Sequence, residues 1–163
     1  MEGAYGHLEP IPDHAVDHVV WVAGGVGITP FLGTSISRLA DSGPTPHLFY
    51  CVPSRGNAPA IEMLEAADRE GRIHLHVHAS DEKNRLHPDQ VISAMGDKNL
   101  KNTHIVMCGP NSLVKSMKSG LRQHGARHMH VEGFDIRSGF GPDLSQYIDD
   151  LIRTQLRRFT SRD

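Results

Sequence analysis

The sequence of 163 residues has few of the features that mark several large protein classes. It contains 2 cysteines, 1 tryptophan and 6% aromatic residues, and its formal net charge is -2 at pH 7. Because no basic segment interleaved with aromatic residues occurs, nucleic acid is not expected as a partner. No apolar run approaches the roughly 20 residues that a membrane-spanning helix needs. The sequence therefore indicates a globular domain with enough chain for a proper core.

The two cysteines, Cys51 and Cys108, do not form the pattern of a disulfide framework. Each lies at the end of an apolar run, which predicts buried thiols in a reducing compartment. We therefore expect a cytoplasmic protein, or the cytoplasmic part of a membrane-bound parent protein.

Residues 19–32 are the most informative stretch of the sequence. Residues 19–22 are apolar and rich in β-branched types, which predicts a buried strand, and three glycines then end it. Thr29 is a suitable N-cap for a helix, and Pro30 suits the first helical position, where a missing N–H costs nothing. The sequence thus predicts a strand, a glycine turn and a helix start.

This arrangement is typical of an anion site, because unpaired N–H groups and the helix dipole face the ligand. Glycines also let the backbone approach a pyrophosphate with no Cβ in the way. A β-branched residue at Gly25 or Gly27 is expected to weaken dinucleotide binding with little loss of fold. The turn differs from the usual dinucleotide fingerprint because Pro30 takes the place of the third glycine. The candidate binding residues of this turn are Gly24, Gly25, Val26, Gly27, Ile28, Thr29 and Pro30.

Strands and helices alternate along the chain. The predicted strands are 19–22, 47–52, 72–79, 104–107 and 128–134, and the predicted helices are 30–42, 57–71, 88–95 and 111–125. Such alternation predicts an α/β fold with a parallel sheet and right-handed crossovers. Ligands of these sheets bind at the carboxyl ends of the strands.

Three motifs resemble those of one family, and the resemblance covers about residues 3–140. The glycine turn closely resembles the pyridine-nucleotide loop of the ferredoxin–NADP reductase superfamily, whose members carry hydride from NAD(P)H to a flavin. Cys108-Gly109-Pro110 resembles the turn beside the nicotinamide in that superfamily. Residues 132–137 resemble the Glu-x-Phe-x-x-Arg ending of bacterial predicted ferric reductases, which are related to the NADPH oxidases. The resemblance implies a three-layer fold with a five-stranded parallel sheet in the order 3-2-1-4-5.

The resemblance also implies roles for particular residues. Cys108, Gly109 and Pro110 are expected to shape the nicotinamide pocket, with Cys108 acting as a small polarizable group and not as a nucleophile. Phe134 is expected to lie against the flavin ring or to guard the nicotinamide site, and Glu132 begins the same motif. Cys108, Glu132 and Phe134 are therefore the candidate catalytic residues.

The choice between NADPH and NADH depends on residues after the second and third strands. Ser54 and Arg55 favour a 2′-phosphate, and Arg85 is expected to add to them. Ser80 matches the serine of the Ser-Arg pair in plant-type reductases, but its neighbour Asp81 is more typical of NADH users. On balance the sequence favours NADP(H).

The resemblance implies three parts of the chain. Residues 1–18 are expected to be a leading segment from an FAD-binding domain that precedes this chain, residues 19–137 the NAD(P)H-binding domain, and residues 138–163 a helical extension. Residues 143–159 have the spacing of an amphipathic helix. We expect that helix to pack on its own domain. The alternatives are contact with a missing domain, with a second subunit or with a membrane surface.

The histidines raise the question of a metal site. His74, His76 and His78 share one face of a strand, and two of them are in reach of a Zn²⁺ ion. No Cys, Asp or Glu lies between them, so no metal site is predicted.

The sequence therefore predicts the nucleotide-binding half of a flavin-dependent oxidoreductase. It would present NAD(P)H for hydride transfer to FAD on another domain, with electrons going on to haem, ferric iron or oxygen. A haem-bearing membrane domain of the same parent chain is a further expected partner. The alternative is a stand-alone module that binds or senses NAD(P)H without turnover.

Overall fold

The computed structural model describes residues 12, 15–32, 43–96 and 100–133. The elements in chain order are β1 (His18–Gly24), a 3₁₀ turn (Gly25–Ile28), α1 (Thr29–Leu32), β2 (His47–Val52), a second 3₁₀ turn (Arg55–Asn57), α2 (Ile61–Arg69), β3 (His74–Ala79), α3 (Pro88–Met95), β4 (Thr103–Gly109), α4 (Asn111–Gln123) and β5 (His128–Gly133). The predicted leading segment is largely outside the described residues. So are most of the helix predicted at 30–42, Phe134 and the predicted extension at 138–163.

The five strands form one parallel sheet in the order β3-β2-β1-β4-β5, which confirms the predicted topology. β1 lies at the centre and pairs with β2 and β4, so that Val22 is opposite Phe49 on one side and Met107 on the other. Strand order reverses at β1. Because the strands are parallel, the turns that follow β1, β2 and β4 lie at the same edge of the sheet.

The core lies on both faces of the sheet, because β1 is buried on both sides. One cluster contains Trp21, Phe31 and Tyr50, and the Trp21 and Phe31 rings stack with centroids 5.2 Å apart. The other contains Val22, with Phe49 and the inner sides of α3 and α4. A strand covered on both faces has a continuous apolar sequence, as residues 19–22 do.

The start of α2 differs from the sequence prediction of 57–71, whereas the start of α4 agrees with the prediction of 111–125. α2 begins at Ile61, after Ala60 at φ 58°, whereas Asn57 belongs to a 3₁₀ turn. α4 begins at Asn111 itself, and Pro110 takes the N-cap position. The bounds of α3 agree with the prediction, including the turn at Gly96 with φ 65° that ends the helix.

No helix within the described ranges is both long enough and apolar enough to span a membrane.

The histidines of β2 and β3 stack against one another on one face of the sheet. The ring of His47 has its centroid 4.6 Å from that of His74 and 5.4 Å from that of His76, and His47 Nδ1 lies 3.2 Å from His76 Nε2. Burial, followed by the charges of His74, His76 and His18, lowers the pKa of His47 to about 4. The described residues contain no group of three or more side chains arranged to hold a metal ion.

This lowered pKa predicts that acid destabilises the fold. Unfolding returns His47 to its ordinary pKa of 6.5, so the unfolded chain binds a proton more readily. The stabilisation is fully present above pH 6.5 and is lost as the pH falls towards 4. One histidine contributes a slope of at most about 1.4 kcal/mol per pH unit, and a half-buried ring contributes a fraction of that. Urea unfolding at pH 7.0, 5.5 and 4.5 measures it.

The matched variant for this prediction is His47→Gln, which keeps a polar side chain but does not titrate. Its free energy of unfolding should fall less steeply between pH 6.5 and 4.5 than that of the wild type. Equal slopes for the two proteins would contradict the assignment to His47.

Candidate functional site

The glycine turn after β1 packs directly on the end of β4. A Cβ on Gly27 would overlap the carbonyl oxygen of Cys108 and would lie 2.6 Å from its carbonyl carbon. A Cβ on Gly24 would lie 2.6 Å from Pro110 Cδ, and one on Gly109 would lie 2.9 Å from the Gly24 nitrogen. Real Cβ atoms do not approach other atoms this closely. The glycines therefore allow the two motifs to touch backbone to backbone.

Gly25 has a different role from its neighbours. Its φ is +52°, a left-handed conformation that favours glycine, yet a Cβ there would meet nothing within 4 Å. Gly25 also lines a cavity, so a ligand can approach its backbone. The expectation that Gly27 also tolerates a β-branched residue is wrong, because its missing side chain is needed for packing.

The helix start differs from the prediction that Thr29 is an N-cap. The chain turns at Gly25, so helical backbone begins with the 3₁₀ turn, and Thr29 is already helical at φ -54°. The Thr29 hydroxyl donates to the carbonyl of Val26. The same carbonyl accepts the Thr29 backbone N–H, and the hydroxyl is a second donor where Pro30, four residues after Val26, has no N–H to offer. The Thr29 proton is therefore used within the turn.

Tyr50 ties the glycine turn to the segment before α2. Its hydroxyl lies 3.3 Å from the carbonyl oxygen of Gly25 and 3.1 Å from that of Pro59, and its single proton is shared between them. The ring is fully buried, and burial raises the pKa of the phenol. Sequence analysis missed this residue, since a tyrosine within an apolar strand looks like ordinary core.

A cavity of about 410 Å³ opens where the carboxyl ends of β1, β2 and β3 meet the first turns of α4. This volume lies within the roughly 300–1,000 Å³ that is common for ligand sites. The cavity is lined by Gly24, Gly25, Cys51, Val52, Pro53, His78, Ser80, Arg85, Leu86, Pro110, Ser112, Leu113 and Ser116.

The cavity brings together part of the predicted binding set. Gly24, Gly25, Ser80, Arg85 and Pro110 line it. Gly27 and Ile28 are buried under the turn, whereas Val26, Thr29 and Pro30 are half-buried. Cys51, His78, Ser112 and Ser116 line the cavity but were not predicted. For the two serines the signal was their spacing of four residues at a helix start, which places both on one face.

Arg55 does not lie where the sequence predicts. Neither Ser54 nor Arg55 is among the residues lining the cavity, and Arg55 Nη2 donates to Glu65 Oε1 of α2 at 3.0 Å, with both side chains exposed. Ser80 is held at the cavity because its N–H donates to Val52 O at 3.0 Å, which continues the pairing of β2 and β3. Arg85 is therefore the cationic side chain that lines the cavity.

Cys108 is fully buried in the core, and its register partners are Ala23 of β1 and Glu132 of β5. Burial, together with the charge of Glu132, raises the pKa of the thiol to about 12. The thiol therefore stays protonated at neutral pH, as a residue that is not a nucleophile should. Its sulfur does not line the cavity, and the contact with the glycine turn is made by the Cys108 backbone. Phe134, the third candidate catalytic residue, lies outside the described residues.

A parallel sheet with a glycine turn, a helix start and a cavity at the carboxyl ends of its central strands defines a dinucleotide-binding domain. The chain belongs to the oxidoreductase NAD-binding domain family, whose sequence model matches residues 21–119. This match confirms the resemblance of the sequence to the NAD(P)H-binding domain of reductases.

The relatives and structural neighbours include reductases and a flavohemoglobin. The carnitine monooxygenase reductase subunit of Acinetobacter baumannii is 28% identical over 130 residues, which cover 78% of this chain and 38% of that protein. A flavohemoglobin from Malassezia yamatoensis, solved with FAD and haem, has a TM-score of 0.61 and 19% identity, covering 76% of this chain and 33% of that one. A ferredoxin–NADP+ reductase mutant from Plasmodium falciparum has a TM-score of 0.58 and 20% identity, covering 81% and 59%.

The close packing at Gly27 predicts that Gly25 and Gly27 respond differently to substitution by alanine. Gly27→Ala should lower the free energy of unfolding by about 3 kcal/mol, because backbone atoms of β4 must move. Gly25→Ala should cost about 1 kcal/mol for its positive φ and should weaken NADH binding, since its Cβ enters the cavity. Urea unfolding and calorimetric titration measure both. Equal stability of the two variants would contradict the packing described here.

Removing the Tyr50 hydroxyl should loosen the glycine turn without opening the core. Tyr50→Phe is expected to lose about 1 kcal/mol of stability and to bind NADH more weakly, because the Gly25 and Pro59 carbonyls lose their shared donor. Thermal unfolding and calorimetry on the same samples test this. An unchanged affinity would mean that the turn is held without Tyr50.

Proposed function

We propose that this protein presents NAD(P)H for hydride transfer to FAD carried by a separate domain, from which electrons pass singly to an iron-containing or oxygen acceptor. The observation that supports this most is the cavity at the carboxyl ends of β1, β2 and β3, directly beside the glycine turn. The chain spans 38% of the length of the carnitine monooxygenase reductase subunit. The flavin and the final acceptor are therefore expected from other parts of a larger system.

The residues of the chain bind and orient the cofactor. The open backbone at Gly25 and the N–H groups of the 3₁₀ turn suit a pyrophosphate. NAD(P)H supplies the hydride when it is bound, so no side chain needs to act as an acid or base. The neutral thiol of Cys108 supports the turn that is expected to lie beside the nicotinamide. Glu132 and Phe134 are proposed to complete that region.

NADPH is the proposed cofactor, with the phosphate-binding residues revised. Arg85 and Ser80 line the cavity together at the end of β3, and a guanidinium beside a hydroxyl suits a 2′-phosphate. Arg55 is paired with Glu65 and is no longer part of the proposed site.

The proposed acceptor is haem, ferric iron or molecular oxygen, as in the ferric reductase type that residues 132–137 resemble. A haem-bearing membrane domain is one proposed partner. The relative from Acinetobacter baumannii is by its name the reductase subunit of a monooxygenase, which supports an oxygenase as another. We propose a cytoplasmic location, in which Cys51 and Cys108 stay reduced.

The proposal predicts a separation of binding from turnover. The chain should bind NADPH with one site by calorimetry, yet reduce no dye or ferric iron until an FAD-loaded flavin domain from a relative is added. Binding without turnover in the presence of that domain would favour a sensing module. A folded chain that binds neither NADPH nor NADH would contradict the proposal.

The cofactor preference predicts opposite outcomes for two arginines. Arg85→Ala should weaken NADPH binding by at least about tenfold while leaving NADH almost unchanged, because only NADPH has a phosphate at this place. Arg55→Ala is the matched control, since it removes a guanidinium bound to Glu65 outside the cavity. Should Arg55→Ala be the variant that selectively loses NADPH, the revised site is wrong.

A further inference from the structure

His78 is a buried histidine that lines the cavity and that the proposed function does not yet use. It is the second-last residue of β3 and is 8% exposed. Its Nδ1 lies 3.2 Å from Asn84 Oδ1, and Asn84 Nδ2 donates to the carbonyl of Val77 at 3.4 Å. One end of the ring is therefore held by a side chain that is itself held by the strand.

This chain of hydrogen bonds sets the tautomer of His78. Asn84 uses its amide nitrogen on Val77, so its oxygen faces the imidazole. An oxygen accepts and does not donate, so Nδ1 of His78 carries the proton. A neutral ring protonated at Nδ1 has a bare lone pair at Nε2. Nε2 is then the ring nitrogen left for a ligand.

The surroundings of His78 favour the neutral form of the ring. Burial lowers the pKa of His78, the charge of His87 lowers it further, and the Asn84 hydrogen bond acts in the opposite direction. Cys51, on the neighbouring strand, stays uncharged because burial raises its pKa to about 12.

The position of His78 indicates which half of a dinucleotide it meets. β3 is two strands from β1, or roughly 10 Å, since neighbouring strands lie about 4.8 Å apart. The glycine turn after β1 suits the pyrophosphate, and the Cys108 turn lies on the opposite side, at β4. Because the nicotinamide is proposed to lie at the Cys108 turn, the group that reaches β3 on the other side of the pyrophosphate is the adenosine.

We propose that His78 selects the adenosine half by accepting, at Nε2, a hydrogen bond from the adenine 6-amino group, which NADH and NADPH share. The inference rests on the proposed function. The hydroxyls of Ser80, Ser112 and Ser116 in the same cavity can donate or accept. The bare imidazole nitrogen can only accept, so it distinguishes a ligand donor from a ligand acceptor.

The test compares three ligands by calorimetry on the wild type and on His78→Phe. The ligands are NADH, NADPH and nicotinamide hypoxanthine dinucleotide (reduced), in which an oxygen replaces the 6-amino group. His78→Phe keeps a ring of similar shape but has no acceptor. It should bind NADH about 3- to 10-fold more weakly than the wild type does.

The pattern across ligands identifies the donor. If the amino group is the donor, the wild type prefers NADH to the hypoxanthine ligand and His78→Phe loses that preference. A His78→Phe variant that keeps that preference and instead changes the ratio of NADH to NADPH affinity would overturn the assignment to the amino group. Equal effects on all three ligands, or none, would overturn the inference while leaving the proposed function intact. A folded wild type that binds none of them would overturn both.

His76→Phe is the matched control. It removes the histidine two residues earlier on the same face of β3, which stacks on Phe49 and lies outside the cavity lining. It should leave all three affinities and their ratios unchanged.

A measurement on the wild type covers the case in which His78→Phe does not fold. Nitrogen-15 NMR of the imidazole should show His78 protonated at Nδ1 and bare at Nε2 at pH 7, and the Nε2 resonance should move when NADH is added. A ring protonated at Nε2, or a resonance that NADH leaves unchanged, would contradict the inference.

Discussion

The backbone contact between Gly27 and the carbonyl of Cys108 is the constraint on which the rest of the site depends. It brings the turn after β1 onto the end of β4, with Gly24 and Gly109 completing the contact. The chain can then reverse at Gly25, leave open space on that side and begin a helical turn at once. The cavity lies beside this contact because β1 is the strand at which the order of the sheet reverses. Packing and ligand access are thus divided between neighbouring glycines.

The sheet and its topology could be predicted because apolar runs in the sequence mark the buried strands, and glycines mark the turns between elements. Residues 19–22 are apolar throughout since β1 is covered on both faces, and glycines follow several helices at the turns where φ is positive. The glycine turn was found for the same reason. The hydrogen bonds inside the turn could not be predicted, because the sequence does not reveal that the Val26 carbonyl accepts both the N–H and the hydroxyl of Thr29.

The side chains of the site were harder to predict, since their roles depend on partners distant in sequence. Arg55 follows β2 as a phosphate-binding residue would, but Glu65 lies one helix turn into α2 and pairs with it. The place of Tyr50 in an apolar strand predicts a core residue, but its hydroxyl also contacts the carbonyl oxygen of Gly25. The alternation of His74, His76 and His78 along β3 gives all three the same place in the sequence pattern. Only its contact with Asn84 and its place in the cavity separate it from His74 and His76.

The central claim is that one cavity, built on the contact between the glycine turn and β4, holds the dinucleotide. Titration of the nitrogen-15-labelled protein with NADPH tests it most directly through the backbone amide resonances. The account predicts saturable shifts at Gly25, Ser80, Arg85 and Ser112, with the amides of the His47 and His74 cluster unchanged. Shifts concentrated on that histidine cluster, or none at any of the four cavity residues, would contradict it.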